Sequence, residues 1–429
     1  MSKILLKDII SYKKGNAFKS TDYQKDGVAI VRVSDFENDT VNLNNLYYVS
    51  KEVADKNKNV ILNKYDVVVT TVGASAGNFI RVPEMAEGYL LNQNAVRLRI
   101  NSDEKFEKIY LFYALKYKKF TQYLLAGAQG SAQPSIVLDQ ILNAEIPYPK
   151  KDRRKYISEV LFTLDKKIQL NTQINQTLEQ IAQTIFKSWF IDFDPVHAKA
   201  NALASGQTLE QATQAAMAVI SGKNTQELHR LQTANPKQYQ QLWEIAEAFP
   251  RGFDEEGVPW GWEERYLKDV CNIVYGKGLP KNKLTEKGFY VFGANGVIGF
   301  YDSYTYEKPQ VLIGCRGTVG QVTLSYPYSF VTNNSLVIEY ENSCVSMYYL
   351  EKYLSNINLK EISSGSVQPQ ITIQNMSKVK ILIPNIEILN FYSEKVKEIY
   401  DKRLHHFYEN QSLSKVRDLL LPKLLSGEV

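Results

Sequence analysis

RRKYISEVLFTLDKKIQLNTQINQTLEQIAQTIFKSWFIDFD, residues 153–194, contains no glycine or proline and is apolar at helical spacing. Ile157, Leu161, Leu164 and Ile168 follow a 4-3-4 rhythm, and Ile174, Leu178, Ile181 and Ile185 resume it. Strands do not show this period. The spacing predicts one long helix, roughly 50 Å from Ile157 to Phe190 at about 1.5 Å per residue. A helix of that length outruns any single small core and needs a second helix beside it. The same chain offers one, because Tyr392, Val396, Ile399, Leu413, Val416 and Leu420 carry the same rhythm. Asn175-Gln176-Thr177-Leu178 matches Asn410-Gln411-Ser412-Leu413. Both seams are interrupted near their middle, at Asn171 and Asn175 and at His406 and Asn410. Such a polar layer fixes the register of a helix pair at some cost in stability. Short heptad matches also arise between unrelated amphipathic helices, so the pairing needs support from the rest of the chain.

A chain of 429 residues predicts two or three domains. Its net charge is +5. That excludes a basic-tail protein and leaves contact with an anionic partner to local patches. Cys271, Cys315 and Cys344 lie far apart with no CxxC pair. This argues against a disulfide framework or zinc site and predicts a reducing, cytoplasmic compartment. The beginning, MSKILLKDII, lacks a secretory apolar core with a cleavage site. No apolar run reaches the roughly 18 residues that would predict a membrane span.

Residues 1–150 are rich in short strand signals at 28–33, 67–72 and 95–100, with a helix expected over 106–125 and a Gly-Ser loop over 126–134. Residues 195–262 shift to Ala, Gln and Thr and predict a helical connector, with helices around 209–220 and 236–248. The first plan then begins again. Leu267-Lys268-Asp269 repeats Leu6-Lys7-Asp8. Arg316-Gly317-Thr318-Val319-Gly320 takes the place of Gly73-Ala74-Ser75-Ala76-Gly77. Thr332-Asn333-Asn334-Ser335-Leu336-Val337 repeats Leu91-Asn92-Gln93-Asn94-Ala95-Val96, and Gly365-Ser366-Val367-Gln368-Pro369 repeats Gly130-Ser131-Ala132-Gln133-Pro134. Gln133 and Gln368 are separated by 235, and so are Asn175 and Asn410. A constant offset across a loop and a helix marks a tandem duplication. The expected fold is α+β with a pseudo-twofold internal repeat. Its order is domain 1–150, long helix 151–194, connector 195–262, domain 263–385 and long helix 386–429.

Two similar domains joined by paired helices present similar surfaces to a ligand that repeats along an axis. Duplex DNA is such a ligand, with half-sites on one face about 34–36 Å apart per turn. The matched loops carry suitable chemistry: Gln and Asn for adenine, Arg or Lys for guanine, Ser or Thr for bases or phosphates. The candidates are Lys13, Lys14, Arg32, Ser75, Asn78, Ser131 and Gln133 in the first half. In the second they are Lys277, Lys281, Asn295, Arg316, Thr318, Asn333, Ser366 and Gln368. Lys105, Lys108, Lys116, Lys118 and Lys119 alternate with Tyr110, Tyr113 and Tyr117. They fit either a DNA flank or a helix with one wet and one apolar face. Catalytic signals are sparse. There is no GxxxxGK[ST] or GxGxxG loop, and His197, His229, His405 and His406 have no metal-ligand spacing. Asp165-Lys166-Lys167 looks like the tail of a nuclease carboxylate–lysine motif, but it falls on the long helix.

Several further stretches resemble the specificity subunits of type I restriction–modification systems. They are the run Phe186-Lys187-Ser188-Trp189-Phe190-Ile191-Asp192-Phe193-Asp194-Pro195-Val196, the entry Val258-Pro259-Trp260-Gly261-Trp262, the Gly-Ser-x-Gln-Pro loops and the ending Leu421-Pro422-Lys423-Leu424-Leu425-Ser426-Gly427. The likeness covers nearly the whole chain, although the second helix has Leu424-Leu425 where the first has Trp189-Phe190. The resemblance implies two target recognition domains, each reading one half of a bipartite site in double-stranded DNA. It also implies antiparallel helices that set the unread spacer. Two methyltransferase subunits would methylate adenines, and ATP-driven restriction subunits would be optional partners. S-adenosylmethionine, ATP and magnesium would belong to those partners, and this chain would hold no cofactor and perform no catalysis. Two alternatives stay open: a stand-alone nuclease or methyltransferase with diverged motifs, and a coiled-coil scaffold that binds protein.

Overall fold

The aliphatic runs at 67–70 and 311–314 are inner strands of two sheets with one plan. The computed structural model describes residues 2–73, 75–117, 120, 122–124, 136–365 and 368–429. It divides into two units, Met1–Asn171 with Tyr408–Val429, and Thr172–Phe407.

In the first unit β1 (Ile10–Lys14), β2 (Val67–Thr70), β3 (Phe79–Arg81) and β4 (Ala95–Ile100) form an antiparallel sheet in the order β1-β4-β2-β3. In the second, β5 (Asn272–Tyr275), β6 (Val311–Gly314), β7 (Val322–Leu324) and β8 (Ser335–Glu339) repeat it as β5-β8-β6-β7. Both inner strands are fully buried, because each face of the strand meets a different core. Val67 and Val69 face the helix Lys105–Lys116, whereas Val68 faces Ile30 and Val31. Val311 and Ile313 likewise part from Leu312. Each unit adds a second sheet with one parallel pair, Leu90–Leu91 on Val28–Val31 and Phe330–Val331 on Phe289–Gly293. Each also has a closing antiparallel pair, Lys3–Leu5 with Glu145–Pro147 and Glu263–Tyr266 with Lys380–Ile383. The α+β class and the internal repeat are therefore present in the strand order itself.

The long helices are Lys151–Phe190 and Ile386–Ser426. Within the first unit, Asn171 Nδ2 donates to Glu409 Oε2 at 2.6 Å and to Asn410 Oδ1 at 2.8 Å. Arg417 Nη1 meets Asp165 Oδ1 at 2.9 Å. Within the second, Asn175 Nδ2 donates to the Arg403 carbonyl at 3.0 Å, and its Oδ1 lies 2.9 Å from His406 Nδ1. Rising numbers on one helix meet falling numbers on the other, so the helices are antiparallel and their polar layer is internal. The apolar seam differs from its expected course at two points. Ile181 and Val416 are 44% and 45% exposed, while Ala182 is wholly buried and Arg417 carries the ion pair. Counted in 3-4 steps through the polar residues, the seam runs from Ile168 by Asn171, Asn175 and Leu178 to Ala182, and from Ile399 by His406, Asn410 and Leu413 to Arg417, so the period continues unbroken and Ile181 and Val416 lie one residue off it.

Two further expectations change. The helix expected over 106–125 stops at Lys116, because Tyr117 takes ψ 125. The connector has helices at Asp194–Ala204 and Thr225–Ala234 as well as Leu209–Ser221 and Pro236–Ala248. The first follows Phe193 in a left-handed conformation (φ 52) and starts with Pro195 near its N-terminus. Lys199, 1% exposed, donates from Nζ to the carbonyls of Ala246, Glu247 and Phe249 at 2.8, 3.0 and 2.6 Å. It thereby satisfies carbonyls that the last turn of Pro236–Ala248 leaves without helical partners.

Candidate nucleic-acid interface

One end of each main sheet gathers the loops that carry the candidate residues, and the same backbone hydrogen bonds gather them in both units. Gly15 N–H donates to Ala95 O at 3.0 Å, and Gly276 N–H to Ser335 O at 3.1 Å. Asn16 N–H reaches Leu91 O at 3.0 Å, and Lys277 N–H reaches Val331 O at 2.8 Å. Thr71 N–H reaches Asn94 O at 3.3 Å, and Cys315 N–H reaches Asn334 O at 2.9 Å. Gly77 N–H closes on Thr70 O at 2.9 Å, and Gly320 N–H on Gly314 O at 2.8 Å. Ile136 N–H bonds Thr71 O at 3.0 Å, and Ile371 N–H bonds Cys315 O at 3.1 Å. The glycines make this approach possible, since a Cβ on Gly15 or Gly276 would lie 2.0 or 2.3 Å from the carbonyl oxygen of Asn92 or Thr332.

In the second unit this edge brings Lys277, Arg316, Thr318, Asn333 and Gln368 onto neighbouring loops, and all five are exposed. Asn333 N–H donates to Lys277 O at 3.1 Å, and Arg316 Nε lies 3.4 Å from Gln370 Oε1. Asn295 is exposed at the turn between Phe289–Gly293 and Gly296–Tyr301. A Cβ on Gly314 would fall 2.6 Å from the carbonyl oxygen of Ala294, so that turn abuts the same edge. Lys281 is exposed in the short 3-10 turn Lys281–Lys283.

In the first unit Ser75 is exposed and Asn78 half-buried, in the tight loop where Asn78 N–H donates to Ser75 O at 3.0 Å. Lys13 and Lys14 are exposed on β1, one and two residues before Gly15. By register, however, the counterpart of Lys277 is Asn16. Arg32 already has partners. Its Nε and Nη2 meet Asp35 at 3.1 and 2.7 Å, and its guanidinium lies 4.0 Å from the Tyr47 ring centre. The Asp35 hydrogen bond raises its pKa further. Ser131, Gln133 and Ser366 lie outside the described residues. The register also adds Gln93 and Asn94, both exposed, as counterparts of Asn333 and Asn334. Their signal was already present in the repeated Asn92-Gln93-Asn94 segment.

The lysine–tyrosine helix and the Asp-Lys-Lys run have structural roles. Tyr110 and Tyr113 are buried, with Tyr110 Oη donating to Pro147 O at 2.7 Å and Tyr113 Oη to Asp165 Oδ2 at 2.5 Å. Burial raises both phenols. Asp165 also accepts from Arg81 at 3.3 Å and Arg417 at 2.9 Å, so its carboxylate is enclosed by partners. Lys116 pairs with Asp39 at 2.6 Å; Lys118 and Lys119 lie outside the described residues. Among the described residues no group of three or more His, Cys, Asp or Glu could hold a metal. Burial pushes the Cys271 thiol up to about 11, away from a reactive thiolate. No helix among the described residues is long and apolar enough to cross a membrane.

The type I restriction modification DNA specificity domain family matches residues 1–180 and 259–416, leaving out most of the connector. A HindI type I restriction enzyme specificity subunit from Haemophilus influenzae is 34% identical over 401 residues, which is 86% of this chain and 87% of that protein. An MjaIX type I specificity subunit from Methanocaldococcus jannaschii is 24% identical over 343 residues, 75% of this chain and 68% of that one. A crystal structure of a type I restriction–modification S subunit from M. genitalium superposes with a TM-score of 0.54 at 17% identity. The alignment covers 99% of this chain and 95% of that one, and the likeness is one of fold.

Proposed function

The chain belongs to the type I restriction–modification DNA specificity family, and from that premise we propose that residues 1–150 and 263–385 are its two target recognition domains. Each reads one half of a bipartite site in double-stranded DNA. The observation that carries the reading is the loop edge built twice by the same hydrogen bonds. Exposed amide, hydroxyl and basic side chains stand on it, as base and phosphate contacts require. In the second half Lys277, Lys281, Asn295, Arg316, Thr318, Asn333 and Gln368 face the DNA, and Ser366 is assigned with them from its sequence alone. In the first half Lys13, Lys14, Ser75, Asn78, Gln93 and Asn94 do so, and Ser131 and Gln133 are assigned with them from the sequence alone. Arg32 takes part only by leaving Asp35.

The paired helices set the spacer between the half-sites. Two methyltransferase subunits dock on the chain and methylate adenine with S-adenosylmethionine. ATP- and magnesium-dependent restriction subunits complete the nuclease form in the cytoplasm. The chain contributes recognition rather than chemistry, in keeping with the name of its Haemophilus relative as a specificity subunit. The test is single-molecule methylome sequencing of the host with the gene intact and deleted. One bipartite motif should lose adenine methylation on deletion. An unchanged methylome while the partner methyltransferase is expressed would sink the proposal, as would DNA turnover by the purified chain alone.

A further inference from the structure

The two main sheets match residue for residue at the candidate DNA edge, and they diverge at the opposite end. In β2 and β4, Val67 pairs with Leu98; in β6 and β8, Val311 pairs with Ile338. The next step outward places Asp66 beside Arg99 in the first unit and Gln310 beside Glu339 in the second. Asp66 is 3% exposed and receives Arg99 in a two-point grip, Nε at 2.7 Å and Nη2 at 2.6 Å. Arg99 Nη2 also donates to Ile61 O at 3.2 Å. The first unit thus fills this end of its sheet with its own guanidinium.

The second unit has no arginine at the matched position. Glu339 stands there, its carboxylate accepting from Asn272 Nδ2 at 2.6 Å and from Tyr306 Oη at 2.9 Å. A cavity of about 500 Å³ opens beside it, lined also by Glu307, Gln310 and Glu341. Gln310 is 2% exposed, and among the described residues its Oε1 has no hydrogen-bond partner. A buried amide oxygen left unpaired is unfavourable by about 1–3 kcal/mol. Lys308 on the rim pairs with Glu341 at 3.5 Å and is largely exposed. The wall therefore offers acceptors and net negative charge, at the end of the sheet away from the loops assigned to DNA.

We propose that this cavity binds a guanidinium group supplied from outside the chain, in the place that Arg99 fills in the first unit. Glu339 and Glu307 supply the charge, and Gln310, which lines the cavity with its Oε1 closed off from solvent, turns that oxygen toward the ligand as the further acceptor. A planar, forked donor suits paired acceptors of this kind better than a point charge does. The site goes beyond DNA recognition and stands without it.

The experiment is calorimetric titration of the full-length chain with agmatine and, separately, with N-acetylarginine amide. One-to-one saturable binding of either probe is expected. Tighter agmatine binding assigns the ligand to a free small guanidine, and tighter binding of the amide assigns it to an arginine side chain of another polypeptide. Glu339→Gln should weaken binding about tenfold or more. The double substitution Gln310→Asp with Glu339→Arg rebuilds the first unit's pair. It should abolish binding while the melting temperature holds or rises, which separates a filled site from a misfolded chain. No saturable heat with either probe up to about 10 mM, or equal binding by wild type and both variants, overturns the proposal.

Discussion

Glu179 shows how single residues tie a long helix to its unit. Its carboxylate meets Lys352, 2% exposed, and Arg403 Nη1 at 2.5 Å. Burial alone would raise its pKa; Lys352 and Arg403 outweigh burial and hold it below the usual 4.5. A carboxyl depressed in the folded state adds stability that is full above its unfolded pKa and is lost as pH falls through the folded one. Glu179→Gln should therefore lower stability at neutral pH by about 2 kcal/mol, since it removes one of the two carboxylates of buried Lys352 and leaves it Glu351 alone. The gap between wild type and variant should close as pH drops below about 4.5. Melting temperatures across pH check this, and a gap independent of pH would refute the assignment. At the loop edge, Arg316→Ala should relax one base position of one half-site and weaken binding by about 1–3 kcal/mol. Lys277→Ala should weaken binding to all sequences and reduce the salt slope by about 1. Fluorescence anisotropy of the assembled methyltransferase on its own motif decides between them. Relaxed base preference in both half-sites from Arg316→Ala would contradict a one-unit, one-half division of recognition.

Among the elements, the long helices were legible because their period persists for many turns, the first without glycine or proline and the second with Pro422 only near its end. The polar layer was legible too, since Asn171, Asn175, His406 and Asn410 fall where apolar residues are otherwise due. The seam was misplaced by one residue at Ile181 and Val416, because large aliphatics were preferred over a neighbouring alanine and arginine. Burial reverses that order. Ala182 lies in the second unit's core with Phe186, Trp189 and Tyr392, where there is room for a methyl group only. Ala182→Leu should destabilise the chain by about 1–3 kcal/mol through overpacking, and Ile181→Ala by less than about 0.5 kcal/mol. Thermal melts of the two variants test the seam, and the opposite ranking would return Ile181 to it. The connector helices Asp194–Ala204 and Thr225–Ala234 were illegible for another reason. They are about ten residues long with only two large aliphatic residues each, Val196 and Leu203 in one and Leu228 and Leu231 in the other, and burial of Lys199 depends on carbonyls some 47 to 50 positions away. No local pattern carries such a contact.

At the scale of the molecule, the repeat was visible in the constant offset of its loops, but the exchange of helix ends was not. The first helix begins among first-unit core residues, Ile157 and Leu161, and ends among second-unit ones, Phe186, Trp189 and Phe190. The second begins with Ile388, Leu389 and Tyr392 in the second unit and ends with Leu424 and Leu425 in the first. Trp189-Phe190 and Leu424-Leu425 thus have one role in different chemistry, which conceals the repeat from a residue-by-residue comparison. Because both ends of both helices are anchored, the helical connection can be shortened only by matched deletions within the helices. Removing four residues from each would shorten the connection by about 6 Å but turn the following face by roughly 40°. Removing seven from each shortens it by about 10 Å and keeps the faces within about 20°. If the helices set the spacing, the seven-residue variant should methylate a motif with the same two halves and a gap shorter by about three base pairs, at about 3.4 Å each. Methylome sequencing of a host carrying the variant reads the gap directly. An unchanged gap with methylation intact would show that the half-site spacing is set elsewhere than in the paired helices.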